Sequence, residues 1–443
     1  MSLLRRFIAR LSSLERFLLI GCIVLTIGTS SLWGYQRWLE ATTPVPIAGG
    51  SYTEGVVAAS VADVQPTIEQ LTNVGFVRFD ATGTIVPAAA TKWDVTDDGK
   101  RYTFTLYDSL DKAMVEQAIA DHRDTFPDIE TQVTDEHTVI FTLKQSFAPF
   151  LATTAAPIFP LGPFEVAERE RGTVRLVARP NALLGQPYLE ELTLKIYPDS
   201  FNLTQALSAG DIEGVADISS VENDRLLVRM ETYELRLPRK IFLFFNTERP
   251  ALKSADVRRK LRDNQALETP IDVTLVTLAS PRNEELAQQI VTSWKELGVR
   301  VTVETRTATE LNKDVVPNRS YDALIYGLDF GADPDPYPFW HSSQIEKDGL
   351  NLSNFANIDA DRLLEQARQS TDQVKRSELY GKFQEIFTRE VPAIELEQIT
   401  VTFATDTGLQ GVASLDGRTV ADRYSFITDW YRKTRRDRTG NVQ

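Results

Sequence analysis

The chain of 443 residues holds one cysteine, Cys22, and only three histidines, His122, His137 and His341. A lone thiol excludes an internal disulfide framework, and histidines this scattered offer no metal-ligand spacing. Neither thiol nor zinc chemistry has support, no metal is expected, and no cofactor is expected. His341 reads as a partly exposed loop histidine beside aromatics. Concentrated positive charge is also missing from the main body. The net charge is −14, whereas phosphate binding needs clustered Lys and Arg, so no nucleic-acid partner is expected. The chain has no Gly-x-Ser-x-Gly elbow, no His-Glu-x-x-His pair and no phosphate-cradling glycine loop. Its 62 Asp and Glu do not by themselves make a hydrolase, because a catalytic carboxylate pair needs a set separation and shifted pKa values. The chain is not read as an enzyme.

What is present is a globular composition, 42% hydrophobic and 25% charged, sufficient for a large core divided between two lobes. The N-terminus carries Arg5, Arg6, Arg10 and Arg16, then runs almost without charge from Phe17 to Gln36. About 20 such residues, rising about 1.5 Å each, cross a hydrocarbon core of about 30 Å. Trp33, Tyr35 and Trp38 suit the far interface, and the arginine excess predicts a short inside segment with the body outside. "LIGC" at Leu19 to Cys22 resembles a lipoprotein cleavage box, but the apolar run continues past Cys22, which favours an uncleaved signal anchor. Either way, the expectation is a single-pass cell-membrane protein with its body on the extracellular or periplasmic side. The first 45 residues contain five Arg and two Glu, so without their excess of three positive charges the body carries −17.

The Pro, Gly and Thr content of residues 39–50 reads as a linker. Beyond it, "RYTFTLY" (101–107) and "HTVIFTLK" (137–144) alternate like half-buried strands, and Asp97, Asp98 and Gly99 mark a hairpin turn. The run at 270–280, a helix with Leu286, Ile290, Trp294 and Leu297 on one face, a stop at Gly298 and the strand "VRVTVETR" make a βαβ unit. "YDALIYGL" (321–328) supplies another strand of a parallel sheet. It ends in a block dense in Asp, Pro and aromatics, "DFGADPDPYPFW" (329–340), and ligands gather beyond such strand ends. Two amphipathic helices follow. Leu379, Tyr380, Phe383, Ile386 and Phe387 stripe the second, Thr371 or Asp372 caps it, and Pro392 follows its end. Trp93, Tyr102 and Trp294 are assigned to packing, and Arg258 and Arg259 to a solvated helix face that could also receive a ligand carboxylate.

Four segments in order, "FVRFDATGTIVPAAATKWDVTDDGKRYTFTL" (76–106), "KIFLFFNTERPALKSADVRRKL" (240–261), "YDALIYGLDFGADPDPYPFW" (321–340) and "FANIDADRLLEQARQSTDQVKRSELYGKFQEIFTREVPAIEL" (355–396), resemble the family 5 extracellular solute-binding proteins of ABC importers, the peptide and nickel receptors. The resemblance covers roughly residues 50 to 430. It implies an α/β, two-lobed periplasmic-binding-protein-like fold of class II, peptide-binding type, with a β-rich extra subdomain, preceded by one N-terminal transmembrane helix. The expected organisation is a cytoplasmic basic segment (1–16), a transmembrane anchor (17–38), the linker (39–50), lobe I (51–240 and 400–435, with the subdomain at about 75–160), lobe II (241–399) and a flexible tail (436–443). The chain departs from the family pattern between Leu106 and Val139, where a different segment stands, and between Leu261 and Pro270, where a long stretch is trimmed; Leu328 replaces a usual Trp.

The implied function is capture of a small ligand, foremost short peptides, and its delivery to ABC importer permease subunits by a monomer tethered to the lipid bilayer. The alternative is a surface protein that keeps the fold and binds another protein. In the resembled family the 329–340 block lies at the cleft, and an acidic residue in it pairs with the ligand's amino end. Asp329 is the best match, with Asp333 and Asp335 behind it; Tyr337, Phe339, Trp340 and Asn246 complete the expected ligand-binding set. Crossovers between the lobes are expected near Leu243 to Asn246 and Leu396 to Thr402.

Overall fold

The computed structural model describes residues 12–134, 137–333 and 335–438, so Arg5, Arg6 and Arg10 lie outside the described residues. One large sheet organises the body. Its strands run in the order Val299–Arg306, Ile271–Leu278, Ala323–Asp329, Met230–Phe245, Ala393–Asp406, Gly214–Val215, Ser51–Val57, Glu191–Tyr197, Thr173–Ala178 and Phe164–Glu170. Cores on either side of the central pair define two lobes. Tyr52, Leu192, Leu235, Leu237, Phe403 and Trp430 pack in lobe I; Phe242, Phe244, Leu324 and Trp340, and on the other sheet face Leu243, Phe245, Ile290 and Trp294, pack in lobe II.

The two central strands pass through both lobes, paired antiparallel from Met230↔Asp406 to Phe244↔Ala393. Their register breaks between Arg236 and Lys240, opposite Thr400 and Gln398. Pro238 sits in that break, and its missing N–H removes a ladder bond just where the chain leaves one core for the other. This corrects the first expected crossover: Leu243 and Phe245 are fully inside lobe II, and the passage lies at Arg236–Lys240. On the partner strand the break falls at Gln398–Thr400.

The βαβ unit forms as read. Ile271–Leu278 and Val299–Arg306 pair in parallel around the helix Pro281–Glu296. Leu286, Ile290 and Trp294 are buried along it, and Trp294 stacks on Phe245 at 5.9 Å. The hairpin also forms, Ala90–Val95 against Arg101–Leu106, with Gly99 at φ 65°. It belongs to a four-stranded antiparallel subdomain over a nest of phenylalanines. Phe76 alone meets Phe104, Phe126, Phe141 and Phe159 at 4.8 to 6.4 Å. The unfamiliar segment after Leu106 folds into that subdomain as a helix, Lys112–Asp121, which Asp111 caps by accepting from the Met114 N–H at 2.8 Å.

Residues 39–50 do not form a linker. The apolar helix Ser13–Glu40 runs straight to Ala41, and Thr42–Ile47 then pairs antiparallel with Lys433–Arg438. The same pairing removes residues 436–438 from the expected tail; residues 439–443 lie outside the described residues. Arg436 ties helix to strand by donating to the carbonyls of Leu39 (2.9 Å) and Thr42 (2.8 Å), with its guanidinium 5.1 Å from the Trp38 ring centre. A chain rich in Thr and Pro is a poor guide here, because both tolerate an edge strand as readily as a loop.

Candidate ligand-binding cleft

Where the subdomain, lobe I and the hinge meet lobe II, a cleft of about 990 Å³ opens. Four separated stretches supply most of its lining, 77–83 from the subdomain, 236–240 from the hinge, 330–332 from lobe II and 415–429 from lobe I, and residues within 70–75 and 155–163 complete it with a few single positions. Strand geometry decides which side chains face it. Val77 is fully buried in the subdomain core, so its neighbour Arg78 projects from the opposite face of the strand into the cleft. On the far wall, Asp422 accepts from the Arg418 and Thr419 main-chain N–H groups at 2.6 and 2.9 Å and pairs with the Arg418 guanidinium at 3.2 Å. Arg418 in turn lies over Phe79, 4.9 Å from its ring centre. Behind this wall Arg423 and Glu54 form a fully buried ion pair, with Nε to Oε1 at 3.0 Å.

The charges on the wall largely pair with one another. Arg236 meets Asp416 at 2.6 Å, and Lys240 meets Glu395 at 2.8 Å. Asp80 is held by its own turn, Oδ1 accepting from Thr82 N (2.8 Å), Thr82 Oγ1 (2.7 Å) and Thr84 N (3.0 Å); these bonds, the Thr82 hydroxyl first, keep its carboxyl below the ordinary range.

The seven residues picked from the sequence do not converge on this cleft. Asp329 is half-exposed at its edge, between Leu328 and the cleft-lining Phe330, and pairs with Arg239 at 2.8 Å. The rest of the block turns inward. Asp333 forms a partly buried two-pronged pair with Arg376. Asp335 is buried, accepts from Tyr337 N at 3.1 Å and faces Arg368 Nε at 3.1 Å; burial pushes its carboxyl above the ordinary range, with Arg368 pulling the other way. Tyr337 stacks on His341 at 4.2 Å, and Phe339 and Trp340 are buried among Phe330, Phe242, Phe244 and Phe387. Asn246 is buried and donates to the carbonyls of Arg319 and Tyr321.

Two further assignments change. His341 is 6% exposed, not a surface loop histidine. Arg258 is 3% exposed, not solvated. It donates to the carbonyls of Leu252, Lys253, Glu390 and Val391 and so binds the helix Ala255–Arg262 to the end of the helix Gln373–Glu390. Four carbonyl acceptors leave this guanidinium no ligand role.

The inward-turned block has a different neighbour, the subdomain. Arg368, seated on Asp335 and 4.4 Å from the Tyr337 ring centre, also reaches the Phe147 ring at 5.0 Å. Beside it, Ala148 N donates to Arg368 O at 3.0 Å and Ser146 Oγ to Gln369 O at 2.9 Å. Tyr102 holds the Phe147 carbonyl at 3.2 Å, and burial pushes its hydroxyl up to about 12, so it remains a donor at neutral pH. These contacts form a clasp between subdomain and lobe II. The cleft residues were missed in the sequence because their four segments are far apart, although the alternation in "FVRFD" already put Arg78 and Asp80 on one strand face.

Two lobes joined by a pair of through-running strands, with a cleft at the joint, make a two-lobed α/β fold of the periplasmic-binding-protein-like class. A profile of bacterial extracellular solute-binding proteins, family 5 Middle, matches residues 107–262. The chain is 26% identical over 423 residues to the probable D,D-dipeptide-binding periplasmic protein DdpA of Escherichia coli (strain K12), covering 73% of this chain and 81% of that one. In fold it is similar to HbpA2 from Haemophilus parasuis, with a TM-score of 0.71 at 18% identity over 82% of this chain and 96% of the other. It is also similar to the oligopeptide-binding protein AppA from Bacillus subtilis in complex with a nonapeptide, with a TM-score of 0.59 at 18% identity over 88% and 100%. The resemblance to family 5 extracellular solute-binding proteins therefore holds in sequence and in fold.

Proposed function

We propose that this chain is a membrane-tethered extracellular solute-binding protein that captures a small ligand, foremost short peptides, and delivers it to the permease of an ABC importer. The observation that carries the reading is the cleft at the hinge, lined from both lobes and large enough for a few amino-acid residues. Closure about the two-strand hinge would enclose a ligand that contacts the closed arrangement better than the open one. The relative named for dipeptides supports peptides as the ligand class. The cleft works by capture without chemistry.

Of the seven residues from the sequence, Asp329 is the one offered here for ligand contact. Its pair with Arg239 is half-exposed, and such pairs contribute about 0–1 kcal/mol, so a peptide ammonium group could replace the arginine at little cost. The other six are assigned to framing the lobe. Tethering is supported by the helix Phe17–Glu40, which is long and apolar enough to cross a membrane by length and composition, and by exposed Trp33, Tyr35 and Trp38 at its end.

Native mass spectrometry of the full chain purified from cells in detergent, followed by sequencing of whatever is extracted, tests the reading. Short peptides of mixed composition, reduced in an Asp329→Ala variant, are expected. An empty protein that also gives no thermal shift with peptide pools would remove it and favour the protein-binding alternative.

A further inference from the structure

Of the four cations on the cleft wall, three are matched within the protein: Arg236 by Asp416, Arg418 by Asp422 and Lys240 by Glu395. Arg78 is not. Its side chain makes no ion pair or hydrogen bond among the described residues, and its Nε is buried without a partner. The carboxylate that feels its charge, Asp80, uses Oδ1 on the turn at Thr82 and Thr84. A guanidinium carries five N–H donors in a planar fork and cannot lose its charge, so burying part of it without an acceptor is costly unless something else supplies one.

We infer that Arg78 receives an anionic carboxylate-class group of the ligand, and that this terminus, rather than an ammonium group, is what the cleft selects most strongly. The inference rests on the reading of the cleft as the ligand site. The strand Val77–Phe79 fixes the orientation: Val77 anchors in the subdomain core on one face, which leaves Arg78 directed into the cleft on the other. Phe79, the next residue along the strand, also lines the cleft and is covered by Arg418, and in a partly desolvated cleft a two-pronged carboxylate contact is stronger than in open water. The half-exposed Asp329 at the cleft edge is the place for a weaker, solvated contact to the opposite end of a zwitterion.

Isothermal titration of the full chain in detergent with one peptide series, each member free or amidated at its C-terminus, tests this in wild type, Arg78→Gln and Arg78→Lys. Amidation is expected to weaken wild-type binding about tenfold or more. In Arg78→Gln the free and amidated peptides should bind alike, and Arg78→Lys should restore part of the difference as a point charge. Equal wild-type binding of free and amidated peptides would overturn the Arg78 assignment and leave peptide capture standing. A parallel thermal-shift panel of other small carboxylates and their amides separates the two readings. If no peptide binds, but carboxylates stabilise wild type and not Arg78→Gln, Arg78 stands and peptide capture falls. If neither form stabilises the protein, both fall.

Discussion

Replacing Arg368 with Ala separates two effects that the structure assigns to one side chain. Within lobe II, Arg368 neutralises Asp335 at 3.1 Å and covers Tyr337. Removing one partner of a buried pair costs about 3–5 kcal/mol. Arg368 is 30% exposed while Asp335 is 8% exposed, so about 2 kcal/mol of lost stability is the expected scale. Only the contact with Phe147 crosses to the subdomain. At about 0.5–1 kcal/mol for a cation over an aromatic ring, its loss shifts the ratio of clasped to opened molecules by about 2- to 5-fold. The bonds from Ala148 N and Ser146 Oγ to the Arg368 and Gln369 carbonyls survive the substitution, so the clasp loosens without vanishing. Spin labels at Gln117→Cys and Lys375→Cys, with Cys22→Ser, read the population by pulsed electron resonance as a growing long-distance fraction. The stability deficit carries a pH signature. The folded Asp335 carboxyl already titrates above its ordinary value of 3.8, and without Arg368 it rises further. The folded state then binds more protons than the unfolded one across that window, so stability falls as pH rises through it. The deficit of Arg368→Ala should be largest near neutrality and shrink on acidification towards pH 4. A wild-type distance distribution would refute the clasp, and a deficit independent of pH would refute the ion-pair account.

Two more substitutions probe the frame of the cleft. Arg423→Met strands the fully buried Glu54 and should cost about 3–5 kcal/mol in denaturant unfolding, with most of the loss recovered when Glu54→Leu is added; a single variant as stable as wild type would show that the pair is hydrated. A Cβ at Gly162 would lie 2.4 Å from the Thr72 carbonyl carbon and 2.6 Å from Asn73 N. Because both are backbone atoms, Gly162→Ala should destabilise by about 1–3 kcal/mol, and unchanged thermal melting would contradict that close approach.

Local periodicity made much of the fold legible. The βαβ unit, the hairpin at Gly99 and the stripe from Leu379 to Phe387 each depend on neighbours within one or two turns of chain, and all three form. The site was less legible because its charges are matched over distance. Asp329 meets an arginine 90 residues earlier and Asp333 one 43 residues later, so a row of aspartates that reads as a ligand anchor turns out to be mostly neutralised from elsewhere. Arg258 illustrates the converse. Its position on a short charged helix looks solvated, and only the arrival of the end of the helix Gln373–Glu390, about 130 residues on, buries it. What the sequence does expose is the arginine in "FVRFD", since alternation alone turns it away from the core. Its lack of a partner is visible only once the other walls are assembled.

The pairing of Thr42–Ile47 with Lys433–Arg438 bears on how the body would meet a bilayer. A flexible leash of about 12 residues wanders about 20 Å and lets its cargo tumble. Here only Ala41 separates the helix from a strand hydrogen-bonded to the opposite end of the chain, and Arg436 grips both. Under the anchored reading the body stands on a mast. The azimuth and tilt of the cleft mouth follow those of the helix, and a neighbouring permease would meet the same face of the receptor at every encounter.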